Sequence, residues 1–369
     1  MYRLTGSSAL VGLTLLLTQL PILVLAPIAG VLADRFNRRS VLLVTEIAGA
    51  IQAMALTLAA AMQVLGIAAL LGLSLLLGVV NAFNVPARQA MVPLLLDRPA
   101  DIRTAVALSS ASLHFSRLLG SALAAVILAY FDVSVCFPVN AVSYLASIFV
   151  LLQLGSTMPA PIRRVSIGTL HDGLRYCLAH REVRSILRLV IVTSLLLIPY
   201  TVLLPAATHL WSGARAAQFA RIMSAAGLGS LLAALALAFR HESMLLRRVM
   251  PASALVGGFC LVALGLAAAG LPPWGVLAVV ALLGFSLTLV ISGANVTIQH
   301  QIPEALRGRV MGLFVMSFNG VAALGNLLWG TVSDHYGIAH TFTGAGLLAA
   351  LFAAADLAAA NRTAPSETA

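Results

Sequence analysis

The 369-residue chain has few groups that could do chemistry: 12 acidic residues, 22 basic residues that are all arginine, eight histidines and three cysteines. Glu46 and Asp356 stand inside apolar runs, about 9 Å and about 7 Å from the ends. A carboxylate so placed can take up and release a proton. Arg117 lies deeper, roughly 20 Å along a helix from Thr104 and beyond snorkelling reach. His114, three residues earlier, shares its face. An arginine at that depth either holds an anionic group or bonds backbone carbonyls between helices, and the residues leave both open. Gln19, Asn81, Asn140, Asn295, Asn319 and Asn326 are amides in apolar runs, able to orient a substrate or to join helices.

Other chemistries lack their parts. Without lysine there is no phosphate loop of the Gly-Lys-Ser/Thr kind, so ATP bound to this chain is not expected to drive anything. Cys136, Cys177 and Cys260 are scattered with no metal spacing. No Ser-His pairing or His/Asp/Glu cluster supports an enzyme, so no catalytic residue, metal or cofactor is expected. No filter-like loop interrupts an apolar run as in a channel.

The elements that must hold these residues follow from composition. Apolar residues make up 60% of the chain and charged ones 9%, against about 25% charged in soluble domains. The chain is therefore read as an all-α polytopic membrane protein. A helix of roughly 20 apolar residues spans the hydrocarbon core. Eleven such runs are present: Ala9–Ala33, Ser40–Met62, Ile67–Phe83, Thr104–Phe131, Val133–Leu154, Ser185–Leu204, Ala216–Phe239, Val249–Ala269, Trp274–Ile298, Val310–Val332 and Ile338–Ala360. The net charge of +10 does not indicate nucleic acid, because the arginines cluster between apolar runs instead of along one face.

Alternate connections, together with Arg188 and the C-terminal tail's Arg362, carry 18 of the 22 arginines. That side is assigned to the cytoplasm, together with the C-terminus, in a bacterial inner membrane. Five runs precede the polar stretch 155–184 and six follow it. The expected organisation is an N-terminal bundle (1–154), a cytoplasmic linker (155–184) and a C-terminal bundle (185–369). Leu170, Leu174, Leu178 and Arg181 recur at helical spacing in the linker, as in a helix lying on the membrane face or in an ordinary linker helix. The halves echo each other weakly. Asn84-Val85, followed by Pro93, matches Asn295-Val296, followed by Pro303, and Arg38-Arg39 matches Arg247-Arg248. Such parallel halves are typical of two-bundle secondary transporters.

Between the first two runs stands Gly30-Val31-Leu32-Ala33-Asp34-Arg35-Phe36-Asn37-Arg38-Arg39. It resembles the signature loop of the major facilitator superfamily, Gly-x-Leu-x-Asp-Arg-x-Gly-Arg-Arg. Asn37 replaces the glycine, and because Asn tolerates the left-handed conformation better than most residues a tight turn is still open there. The arginines are expected at lipid headgroups or paired with Asp97 or Asp101. Further stretches resemble the branch containing the enterobactin exporter and macrolide efflux proteins: Asn84-Val85-Pro86-Ala87-Arg88-Gln89-Ala90-Met91-Val92-Pro93, Arg117-Leu118-Leu119-Gly120 and Ile302-Pro303-Glu304-Ala305-Leu306-Arg307-Gly308-Arg309.

The resemblance implies a major facilitator fold of two pseudo-symmetric helical bundles, with twelve spans where eleven are visible. The chain is expected to begin after the first helix. It also implies a monomeric secondary transporter that exports a hydrophobic or amphipathic small molecule, of drug or siderophore class, in exchange for protons. In that reading Gly30, Asp34, Arg35, Arg38 and Arg39 gate the cytoplasmic side. Arg117, His114, Glu46, Gln19, Asn81, Asn140, Asn295 and Asn319 are candidates for substrate or proton. Its rival is a membrane remnant or interaction protein that carries nothing.

Overall fold

In a computed structural model, residues 1–35, 37–91, 133–154, 169–212, 216–239, 243–267, 271–302 and 304–362 are described, with scattered positions between 112 and 131. Every regular element among them is helical. We number the main helices α1 (Ser8–Arg35), α2 (Arg38–Ala61), α3 (Ile67–Met91), α4 (Cys136–Gln153), α5 (Thr169–Ala179), α6 (Arg181–Leu196), α7 (Tyr200–Ser212), α8 (Ala216–Phe239), α9 (Ser243–Leu266), α10 (Pro273–Gln301), α11 (Glu304–Val315), α12 (Val321–Tyr336) and α13 (Ile338–Arg362). Ten stretches among the described residues are long and apolar enough to cross a bilayer. The expected run 104–131 lies outside the described residues.

Several helices outrun their apolar cores. The third continues past Phe83 through Pro86 to Met91, because a proline here costs one hydrogen bond without ending the helix. The sixth begins at Arg181, ahead of Ser185, since arginine stems can lie along the apolar zone while their heads reach water. The run Ser185–Leu204 is not one helix: it breaks between Leu196 and Tyr200. Likewise Met316–Gly320 forms a π turn between α11 and α12.

The chain divides into two compact units. One holds Met1–Gly6, Leu13–Leu113 and Val126–Ser166; the other holds Ser7–Gly12, His114–Ala125 and Ile167–Ala369. In the first, α2 packs on both α3 and α4. Its small buried cluster of Leu42, Ala87 and Met91 closes the arginine-bearing end. In the second unit, α9 packs along α13 and α8 along α10. One buried cluster gathers Leu197, Leu204, Ile222, Leu264 and Phe342, and another Val190, Met250, Ile298 and Phe314.

Lipid is as apolar as leucine, so helices in a bilayer gain from association chiefly by close packing. The α8–α10 crossing is built on this principle. A Cβ on Gly284 would collide with the Ala226 carbonyl, and one on Gly229 with the Ala281 carbonyl. Gly258 and Gly346 do the same for α9 and α13. Gly284→Val should therefore force α8 and α10 apart and lower the thermal midpoint of the purified protein by several degrees. Gly72→Ala, on α3 with nothing within 4 Å of the new methyl, should be neutral or stabilise by up to about 1 kcal/mol. Thermal unfolding in one detergent compares the two.

Candidate functional site

The signature loop is among the described residues except at Phe36. Gly30, Asp34 and Arg35 fall in the last two turns of α1. Asn37 does not use the left-handed conformation that asparagine allows. Its backbone is extended (φ −60°, ψ 118°), and its side chain caps α2 by accepting from the Arg39 amide at 3.0 Å. Asparagine is a strong N-cap residue, so the substitution for glycine changes the turn without losing the helix start. Arg39 departs from expectation. Its Nε and Nη2 donate to the carbonyls of Leu151 and Leu152 at 2.7 and 2.9 Å. A guanidinium there satisfies the last carbonyls of α4 and opposes its dipole. Asp97 and Asp101 lie outside the described residues, as do Arg117 and His114.

Glu46 is half-buried in the first unit, on the face of α2 that meets α3. The Asn84 amide donates to its Oε1 at 2.9 Å and to the Thr45 hydroxyl at 3.0 Å. One turn further along α2, the Tyr144 ring lies against Gly49, where a Cβ would meet Cε1 at 2.5 Å. A carboxylate, an amide, a hydroxyl and a phenol thus cluster among three apolar helices. Sequence reasoning found Glu46 but named Asn81 in place of Asn84. The cause was ending the third run at Phe83, one residue before the amide that faces α2.

The other amides are dispersed. Gln19 and Asn81 are half-buried on α1 and α3, and Asn140 is exposed on α4. Asn295 on α10 accepts from Gln299, one turn on. Asn319 occupies the π turn, an irregularity that often marks functional positions in helices.

The second unit contains a site that the sequence reading passed over. Pro199 has no N–H, so the Leu195 carbonyl four residues earlier loses its helical donor. The amides of Leu197 and Ile198 both turn to the Thr193 carbonyl, at 2.9 and 3.2 Å. The Trp329 indole on α12 supplies the missing donor to Leu195, at 2.9 Å. Gly325, one turn earlier on α12, permits the approach, since a Cβ would meet that carbonyl oxygen at 2.8 Å. Around this break, Thr193 Oγ1, Ser194 Oγ and Asn326 Oδ1 are buried without hydrogen-bond partners among the described residues. Broken helices with spare polar groups inside a membrane commonly line binding sites. Pro199 was the sequence signal, hidden within an apolar run.

Asp334 lies at the other end of α12, four residues after Gly330. Its carboxylate caps the start of α1. Oδ1 accepts from the Ser8 amide at 2.8 Å, and Oδ2 from the Ala9 amide at 3.0 Å and the Ser7 hydroxyl at 2.6 Å. Gly12 and Gly330 let the two helices touch, each facing a backbone carbonyl of the other. An anion at a helix N-terminus meets both orphan amides and the positive end of the dipole.

Two substitutions follow from these contacts. Trp329→Phe leaves the Leu195 carbonyl unpaired and should destabilise by about 1–3 kcal/mol, read from unfolding in detergent. Asp334→Ala, on an exposed carboxylate, should cost at most about 1 kcal/mol. It should nevertheless raise amide exchange selectively at Ser8 and Ala9, measured by hydrogen–deuterium exchange.

Comparison with known proteins places this arrangement. The family model described as transmembrane secretion effector matches residues 1–368. The staphyloferrin A transporter of Staphylococcus aureus is 26% identical over 341 residues, 89% of this chain and 81% of the relative. The enterobactin exporter EntS of Shigella boydii is 30% identical over 332 residues, 89% of this chain and 77% of the relative. Among solved structures, a POT family transporter in complex with 5-aminolevulinic acid superposes with TM-score 0.75 at 12% identity, covering 96% of this chain and 87% of its own. The nucleoside transporter NupG (D323A mutant) does so with TM-score 0.68 at 16% identity, covering 95% and 91%. At those identities the structures speak for the fold alone. The chain belongs to the transmembrane secretion effector family of the major facilitator superfamily and is a multi-pass membrane transporter.

Proposed function

We propose that this transporter exports an amphipathic or hydrophobic small molecule of the siderophore or drug class by alternating access, in exchange for protons. The observation that carries the substrate class is the 30% identity with an enterobactin exporter over 89% of the chain. The transporter works as a monomer of two bundles, 1–154 and 185–369, joined by the linker 155–184, with its arginine-rich side and C-terminus in the cytoplasm.

Each structural feature has a part in that cycle. The break between α6 and α7, with the α12 face that packs on it, offers polar groups at Thr193, Ser194 and Asn326 that have no partner among the described residues, and the π turn holds the Asn319 amide. A largely apolar surface with a few such groups suits an amphipathic cargo. Glu46, held by Asn84, is the carboxylate placed to exchange a proton from the cytoplasmic side. The loop of Gly30, Asp34, Arg35 and Arg38 latches the inner gate, and Arg39 fixes that loop to the end of α4. Asp334 ties α12 to the start of α1 within the second unit.

Cells expressing the chain should clear a catecholate siderophore or an efflux dye faster than controls, and a protonophore should remove the difference. Asp34→Asn should abolish efflux while leaving membrane insertion intact. Glu46→Gln should reduce proton-driven efflux at least tenfold while leaving counterflow exchange of cargo. Equal accumulation with and without the protein across a broad panel would sink the export reading. Unchanged proton-driven flux in Glu46→Gln would remove Glu46 from the coupling step.

A further inference from the structure

We propose that the second unit carries a specific site for an anionic phospholipid headgroup on the arginine-rich face of the membrane. A cleft of about 210 Å³ lies where the starts of α6 and α9 meet the ends of α10 and α13. That is below the roughly 300–1,000 Å³ of pockets for drug-sized molecules, and suits a single phosphate-bearing headgroup.

The charges in the cleft are organised. Four arginines face two carboxylates, and both carboxylates are engaged. Arg247 donates to Glu182 Oε1 at 2.7 Å, and Gln301 donates to Oε2 at 3.0 Å. Arg188 pairs with Asp356. The surplus therefore resides on Arg181 and Arg184, both exposed. Arg184 is pinned by one bond from Nη1 to the Leu178 carbonyl at 2.9 Å, and Arg181 has no partner among the described residues. Two neighbouring guanidiniums, one of them pre-oriented, are a ready receptor for phosphate oxygens.

The surroundings say that the phosphate belongs to a lipid. Arg188 is seven residues, about 10 Å, further along α6 than Arg181, so the charges of the cleft span about the depth of the headgroup layer. Over roughly the next two turns inward of Asp356 on α13, Phe352, Leu351 and Leu348 are exposed, and Phe259 is exposed on the adjoining α9. These give the acyl chains an apolar wall directly below the arginines. Preceding the cleft, α5 turns Gly173 and Cys177 inward and leaves Leu174 and Leu178 exposed beside Arg175. That is the pattern of a helix lying in the interface. Basic clefts between helices on the cytoplasmic side are where anionic headgroups are held in other membrane proteins.

Native mass spectrometry of the full chain in detergent, titrated with phosphatidylglycerol, phosphatidylethanolamine or inorganic phosphate, tests the site. Phosphatidylglycerol should be retained about thirtyfold better than phosphatidylethanolamine, the preference expected of two surplus arginines. Inorganic phosphate should not displace it. The double variant Arg181→Gln, Arg184→Gln should bring the preference near unity. Arg248→Gln, exposed next to Arg247 but outside the cleft, should leave it unchanged. Equal retention of the two lipids by the wild type, which needs no variant, overturns the proposal. So does a preference that survives the double variant or is lost equally with Arg248→Gln. Displacement by inorganic phosphate would make the site one for a soluble phosphate compound, and would overturn the lipid assignment too.

Discussion

Within a bilayer there is no water to pair a stray N–H or C=O, so every backbone polar group must find its partner in the protein. The irregular parts of this structure are arranged around that constraint. Arg39 takes two carbonyls at the end of α4, Trp329 takes the carbonyl freed by Pro199, and Asp334 takes the amides at the start of α1. Each of these side chains comes from a different helix than the group it satisfies. Local defects are thereby turned into tertiary links, and the links stand where the chain departs from regular helix.

The same constraint explains why polar groups left without a partner are informative. A buried hydroxyl or amide oxygen in water-excluded surroundings is a cost that a transporter can recover only when cargo or water fills the gap. Thr193, Ser194 and Asn326 stand by the helix break whose backbone Trp329 repairs, without partners among the described residues. The backbone there is satisfied and the side chains are left open, as the proposed binding role requires. Glu46 represents the opposite case. Its partner Asn84 is an amide that can donate to the ionised carboxylate and, by rotating, accept from the neutral acid. The pair can accommodate both protonation states without rearranging helices.

Most of the helical architecture was legible because the physical signal is long. A run of 20 apolar residues has few alternatives, and charge clusters such as Arg38-Arg39 and Arg247-Arg248 mark its ends. Ends were read short where arginine or proline belongs to the helix, as at Arg181 and Pro86. Glu46 was legible because a carboxylate in an apolar run stands out. Asp334 and Trp329 were not. What gives them meaning is a partner far away in sequence, Ser8 in one case and Leu195 in the other, and no spacing rule connects such pairs. Pro199 was the intermediate case: it announces a lost hydrogen bond but not which residue will replace it.

The arginines show how one residue type divides among three jobs. Arg39 is consumed by a helix end, Arg188 and Arg247 by carboxylates, while Arg181 and Arg184 keep donors to spare. Counting positive charge on one side of the membrane gives orientation, yet it cannot separate these roles, because each arginine counts as one charge whatever its donors hold. Geometry separates them by what each fork already holds. An arginine whose donors are spent contributes to the fold. One whose donors remain unspent, above an apolar wall and within reach of headgroups, will bind the nearest anion, and in a bilayer the nearest anion is a lipid.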